Sequence, residues 1–473
     1  MMQMGSRFRY SAILAVVLLV LVGLATQVGW AQRQPSANLP NPNINRVLFQ
    51  NVRIFDGTSS QLSAPTNVLV IDNKIERIST SPIPVPADLR TLLIDGDGKV
   101  LMPGLIDVHA HLFLEGVDGQ AALFEAGVEG DALFQQVFRA ATESATRMLM
   151  SGFTSVRDLA GPVFDLKKAI DQGQLMGPRV WPSGAMISQT SGHGDFRTLD
   201  ELPRTPTSEL SLAERYGVGA IADGVPEVLR VTREQLMRGA SQIKLAAGGG
   251  VASVYDPIDV SQYTEEEFRA AVNAAEDWNT YVTVHAYTPR AIQTAIRAGV
   301  KCVEHGQLMD EPTAKLMAER GTWLSIQPFL DDEDANPYPE GSESRRKQLQ
   351  VAEGTDIAYG LAKKYNLKTA WGTDILYDPV KATRRGALLS KMVRWYTPAE
   401  VLKMATHDNA DLLALSGPRN PYPGKLGVVE EGALADLLLV NGDPLANIRL
   451  IENPAENFVV IMKDGKVYKN LLS

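Results

Sequence analysis

Between residues 100 and 415 the chain alternates, eight times over, a short apolar run with a longer amphipathic stretch. No other feature restricts the fold as much. The runs fall at residues 100–111, 153–158, 180–187, 242–245, 282–285, 302–305, 323–327 and 369–374. Helical periodicity at 132–151, 265–278, 289–298 and 398–415 occupies positions where crossovers between parallel strands belong. Eight such units predict an α/β fold, a (β/α)8 TIM barrel over residues 99–418.

Both flanks have a different texture. Short β-type runs lie at 47–49, 52–55 and 67–71, with turn signals at Asp56-Gly57 and at Asp72-Asn73-Lys74. The same texture returns at 427–429, 435–440 and 458–468, the last turning at Asp464-Gly465. Regions 46–98 and 419–473 are therefore expected to form one smaller β-sandwich built from both chain ends.

Before them, Arg7 and Arg9 precede an apolar run at 12–25, and Gly29-Trp30-Ala31 places small residues ahead of a cleavage point. A secretory signal peptide over 1–31 is expected, followed by a Pro- and Asn-containing spacer over 32–45. The run is shorter than the roughly 18 to 20 residues of a spanning helix, with an uncleaved anchor as the alternative. The expected protein is exported, periplasmic or extracellular, with no stable membrane association after processing. Cys302 is the only cysteine, so an internal disulfide is excluded, and it reads as a small buried hydrophobe on a strand. A net charge of −9 argues against a nucleic-acid partner.

In a (β/α)8 barrel, residues at the carboxyl ends of strands converge on one mouth. His109 and His111 end the first run, with period-two alternation placing both on one face. Lys244 lies at the end of the fourth, His285 of the fifth, His305 of the sixth and Asp374 of the eighth. Each has a bland alternative: a core histidine bonded to backbone, a snorkelling lysine, a helix-capping aspartate. Together these alternatives are a poor account of six ligand-type residues at six strand-end positions.

At this point the chain resembles the amidohydrolase superfamily, in the branch whose two metals are bridged by a carboxylated lysine. The resemblance rests on residues 98–111, which end in His-Ala-His, and on Lys244 in Ile-Lys-Leu-Ala-Ala-Gly-Gly-Gly. It rests further on Val-His-Ala around His285, Glu-His-Gly around His305, Gly-Thr-Asp ending at Asp374, and the segment 432–437. Within that family it is most similar to secreted dipeptidase and prolidase-like members, which include amidases that split ochratoxin; the segments 191–195 and 248–255 point there. The resemblance implies that His109, His111 and Asp374 hold one divalent ion, zinc first in expectation, and that His285 and His305 hold a second. It implies Lys244, carboxylated by carbon dioxide, as the bridge. A water between the metals would attack the amide, with Asp374 moving its proton. The implied substrate is a small amide, a dipeptide of the Xaa-Pro or carboxypeptidase type first. An N-acyl amino acid such as ochratoxin, or a lactam, is the runner-up, and a non-catalytic binding protein of the same fold is a third reading. The resemblance also implies a homo-oligomer.

The loop from 188 to about 226 is long for a βα connection and suits a lid or specificity element. His193 within it reads equally as a substrate contact or as a surface histidine in a Gly-rich turn. Tyr255 reads equally as a donor to the substrate and as ordinary packing. Residues 331–354 read as a solvated loop, and His407 as a structural residue on a helix.

Overall fold

The structure is a computed structural model and describes residues 39–117, 131–205, 207–336 and 338–472. The expected signal segment and the first half of the spacer lie outside the described residues. Among the described residues, no helix is long and apolar enough to cross a membrane.

The chain opens with β1 (Arg46–Ile54), β2 (Thr66–Ile71), β3 (Lys74–Ser79), β4 (Thr91–Asp95) and β5 (Val100–Pro103). The barrel region contributes β6 (Leu105–Ala110), β7 (Phe153–Asp158), β8 (Arg179–Pro182), β9 (Met186–Ser188) and β10 (Gly219–Ile221). It continues with β11 (Ile243–Ala246), β12 (Val282–Ala286), β13 (Cys302–His305), β14 (Trp323–Ile326) and β15 (Thr369–Trp371). The chain closes with β16 (Leu437–Val440), β17 (Phe458–Lys463) and β18 (Lys466–Asn470).

Both chain ends share one mixed sheet of eight strands, in the order β18-β17-β16-β5-β1-β2-β3, with β4 added beside β1. β1 belongs to both halves. Its start pairs with β2 and β4; beyond a bulge at Asn51, where φ is 52°, its end pairs with β5. The bend lets Val47, Phe49 and Val68 share a core with Leu437, Leu439 and Met462. The β17–β18 turn has positive φ at both Asp464 and Gly465, as a two-residue turn matched to strand twist requires. One expectation fails: residues 427–429 form no strand, and Val429 instead donates its N–H to Asp56. Gly427, at φ 74°, breaks the extended run.

The parallel strands form two arcs, β6-β7-β8 and β10-β9-β11-β12-β13-β14-β15. β6, β7 and β11 to β15 are buried along their whole length, as expected of parallel strands covered on both faces. The third expected run is split. Gly184, at φ 73°, turns the chain so that β8 pairs with β7 while β9 pairs with β11. The long 188–226 segment also carries structure that its sequence did not announce: β10 and a short helix, Leu212–Tyr216. Crossover helices start at recognisable signals. Thr264 and Glu267 form a capping box ahead of Glu265–Asp277, and Pro289 opens Pro289–Arg297.

Two seams close the barrel. Between β8 and β11, the Ser241 N–H donates to the Pro182 carbonyl at 2.8 Å. Between β15 and β6, a side chain joins a main-chain bond from Asp374 N–H to the His109 carbonyl: Asn409 Nδ2 donates to the Ile106 and Trp371 carbonyls at 2.7 and 2.8 Å, and its Oδ1 accepts from Trp371 N–H at 2.9 Å. Asn409 follows a π-helical turn, Met404–Asp408, that interrupts the last helix. His407 lies in that turn beside Asp408, as a structural reading requires.

The barrel interior beneath the mouth is polar. Arg157 from β7 reaches Glu304 on β13 at 2.6 Å, and neither side chain is exposed. Arg157 also donates to the Val108 carbonyl at 2.6 Å and the Tyr281 hydroxyl at 3.0 Å. Cys302 is buried beside this pair and its thiol is pushed up to about 12 by burial, which keeps it protonated. A buried ion pair also docks the terminal sheet on the barrel, Arg179 holding Asp436 through two bonds of 2.9 and 3.1 Å.

Two outcomes follow. Asn409→Ala leaves two carbonyls and one N–H unpaired in the seam and should cost on the order of 2–4 kcal/mol in urea unfolding; an unchanged midpoint would mean the seam is held without this side chain. Glu304→Gln strands the Arg157 charge and should cost about 3–5 kcal/mol in the same measurement.

Candidate metal centre and substrate pocket

All six candidate ligands line one cavity at the barrel mouth, and His193 lines it with them. β6 delivers His109 on its inward face, and His111 follows its end, one alternation further on. Both Nε2 atoms aim at one carboxylate oxygen. Asp374 Oδ1 lies 3.3 Å from His109 Nε2 and 3.1 Å from His111 Nε2. These three ligand atoms lie within 4.8 Å of one another, a grouping that suits a single ion. The close approach needs Gly372, because a Cβ there would stand 2.4 Å from the His109 main-chain nitrogen.

His285 and His305 stand beside this group, their ring centroids 4.5 Å apart and that of His305 4.9 Å from His109. His305 Nδ1 is engaged by Gln327 Oε1 at 2.7 Å, which leaves Nε2 to coordinate. His285 Nε2 lies 3.1 Å from the Gly249 carbonyl, which leaves Nδ1. Burial holds His109 below the usual imidazole value and drives His285 and His305 well below it. Neutral imidazole is the form that binds metal. Burial opposes ionisation of Asp374, but His109 and the bond to His111 outweigh it and hold the carboxyl far below the usual range.

Lys244, on β11, is buried, and its Nζ has no hydrogen-bond partner. Burial lowers it to about 8, against the pull of Glu304 and Asp374. An orphaned amine among ligating groups fits a lysine that carries a further group when the site is assembled.

Support beneath the ligands was not anticipated from the sequence. Glu304 Oε2 lies 3.0 Å from His109 Nδ1, fixing the ring so that Nε2 faces Asp374. Burial works against the Glu304 carboxylate, but Arg157 holds it well below the usual range. Asp107 accepts the N–H groups of His109 and Thr373, each at 3.1 Å, and bonds Arg385 at 3.0 Å. It thereby ties the first strand to the segment bearing Asp374. Asp107 and Glu304 each sit within two residues of a candidate ligand histidine, and that adjacency was the available signal. His305 and Asp374 have φ of 78° and 51°, positions in which non-glycine residues are strained.

His193 stacks on His285 with centroids 3.8 Å apart, and its Nδ1 bonds Ser253 Oγ at 2.8 Å. Gly250 makes room for it, since a Cβ there would stand 1.9 Å from His193 Nδ1. Tyr255 is 38% exposed and is not among the lining residues, while its carbonyl accepts from Ser191 Oγ. The reading of 331–354 as a solvated loop is corrected. A helix, Glu343–Lys364, starts there behind Ser342, and Lys347 is buried with Nζ donating to the carbonyls of Gly250, Ser253 and Asp256. Of the basic run only Lys347 clamps the glycine loop, Arg346 staying exposed, and residues 332, 334 and 336 line the cavity.

The amidohydrolase family profile matches residues 100–471. Ochratoxinase from Aspergillus niger is 34% identical over 425 residues, covering 85% of this chain and 82% of that protein. Among solved structures, a prolidase complexed with N-methylphosphonate-L-proline superposes with a TM-score of 0.80 at 32% identity, covering 90% of this chain and all of the other. A Xaa-Pro dipeptidase with methionine in its active site gives 0.75 at 30% identity, with the same coverage. With its barrel, the His-His-Asp group at the mouth and a family match over most of its length, the chain belongs to the amidohydrolase family and is a hydrolase acting on carbon–nitrogen bonds.

Proposed function

We propose that the protein is an exported, zinc-dependent amidohydrolase that cleaves the peptide-like bond of a small substrate with a free carboxylate, a dipeptide first and an N-acyl amino acid second. The observation that carries the reading is the convergence of His109 Nε2, His111 Nε2 and Asp374 Oδ1 beside a buried lysine without a partner. The second substrate is kept because ochratoxinase is 34% identical over most of both chains.

In this proposal His109, His111 and Asp374 would hold one ion, His285 and His305 would hold a second, and Lys244, once carboxylated, would serve both. Carboxylation turns an ammonium, which two cations would repel, into a group with two anionic oxygens. Divalent ions held there supply polarisation of the amide carbonyl and acidification of water. Asp374, as a carboxylate, takes the proton of the attacking water as the new C–O bond forms. It returns that proton to the amine nitrogen as the C–N bond breaks. Glu304 and Gln327 keep His109 and His305 oriented throughout, and His193 shields one face of His285.

The test is Lys244→Ala. Chelation should abolish wild-type hydrolysis, and zinc should restore it. The variant should bind the metal pair poorly and regain part of its activity with acetate or propionate plus zinc. Rescue by a short amine instead, with no added mass on wild-type Lys244 under non-acidic conditions, would overturn the bridge. Export is checked by amino-terminal sequencing of protein recovered outside the cytoplasm, with a start near Gln32 expected and an intact Met1 in the membrane fraction as the contrary result.

A further inference from the structure

Beside the metal cavity lies a second, smaller chamber of different character. Leu114, Phe196, Val218 and Tyr377 line both, so the two spaces share one wall. Phe113, Phe134, Val137, Pro162, Leu212 and Tyr216 enclose most of the rest, about 530 Å³ of space that is partly open to solvent. Among the described residues that line it none is charged, and two tyrosines are its only polar side chains. The metal cavity, by contrast, is lined by Asp332 and Asp334 as well as by the candidate ligands.

Both sides of the chamber are held in place. On one, the helix Asp131–Met150 presents Phe134 and Val137. Phe138 ties this face to Phe113, its ring centroid 6.1 Å from that of Phe134 and 6.4 Å from that of Phe113. On the other, the short helix Leu212–Tyr216 supplies Leu212, Ala213 and Tyr216. A capping box of Ser211 and Glu214 fixes that helix, and Arg204 holds Glu214 at 2.6 Å. The shared wall stands close to the reacting centre. Leu114 is three residues beyond His111, Tyr377 is three beyond Asp374, and the Tyr377 N–H donates to the Leu114 carbonyl at 3.1 Å.

We infer that this chamber binds the acyl half of the substrate, so that among small amides with a free carboxylate the enzyme favours N-acyl amino acids whose acyl group is large and apolar, a hexanoyl-sized chain or an aromatic acid. The inference rests on the amide-hydrolase reading above. An amide has two halves about its scissile bond. The half with the carboxylate meets no counter-charge in this chamber and would be desolvated there at high cost, whereas an uncharged acyl group enters without that penalty. A dipeptide carries an ammonium next to its scissile carbonyl, and the apolar wall has nothing to pair with it. Each methylene moved from water into such a space is worth about a fourfold gain in binding.

The zinc-loaded full chain is assayed on N-acetyl-, N-butanoyl- and N-hexanoyl-L-phenylalanine, and on L-norleucyl-L-phenylalanine, which differs from the hexanoyl compound only by its ammonium. The value of kcat/KM should rise about two- to fourfold per added methylene, and the hexanoyl compound should exceed the norleucyl dipeptide by about tenfold or more. Two variants test the walls. Ala213→Phe fills the chamber, and Phe134→Ala removes a ring that is 37% exposed, a position where the fold tolerates truncation; each should flatten the series. A flat or falling series in the wild type, a norleucyl dipeptide cleaved as well as the hexanoyl compound, or a rise that neither variant reduces would overturn the assignment. Should the wild type cleave none of these compounds, the hydrolase reading fails, and calorimetry with the same compounds decides the chamber. Tighter binding of the hexanoyl than of the acetyl compound, reduced in either variant, sustains it; equal or absent binding sinks it.

Discussion

The pair of Arg157 and Glu304 is the interaction on which the site depends. Two charges with no exposure cost several kcal/mol each to desolvate, and their attraction offsets this only where geometry is good and the remaining donors are satisfied. Here the guanidinium has Val108, Tyr281 and Glu304 as partners, and the other oxygen of Glu304 faces His109. The arrangement places a fixed negative charge beneath the imidazole. It orients His109 from below, and His109 in turn directs Nε2 at Asp374.

Around that floor, polar side chains join the main-chain hydrogen bonds in fixing where the strand ends meet. Asn409 spans the seam between first and last barrel strands, Asp107 joins His109 to Thr373, and Gln327 lies between His109 and His305. Such groups hold two residues in left-handed backbone conformations, which cost on the order of 1–3 kcal/mol each.

Much of the barrel was legible because its strands are buried on both faces and so read as short apolar runs between helical periods. His109, His111, Lys244, His285, His305 and Asp374 were legible for a related reason: ligands sit where such runs end, and strand ends converge in any barrel. Gly184 could not be read as a break, since a glycine in an apolar run signals a bend, a bulge or nothing. Residues 331–354 misled because a basic run is solvated when its neighbours are water. Here the neighbours of Lys347 are three carbonyls of the glycine loop.

The sequence by itself determined the alternation of strands and helices, the two-ended sheet and the identity of the candidate ligands, because these depend on local periodicity and residue chemistry. Tertiary structure alone decided which groups orient them. Arg157 and Glu304 lie 147 positions apart, and Asp107 and Arg385 lie 278 apart. No local pattern records such pairings, because whether a buried charge is tolerable is settled by the partners that folding brings to it.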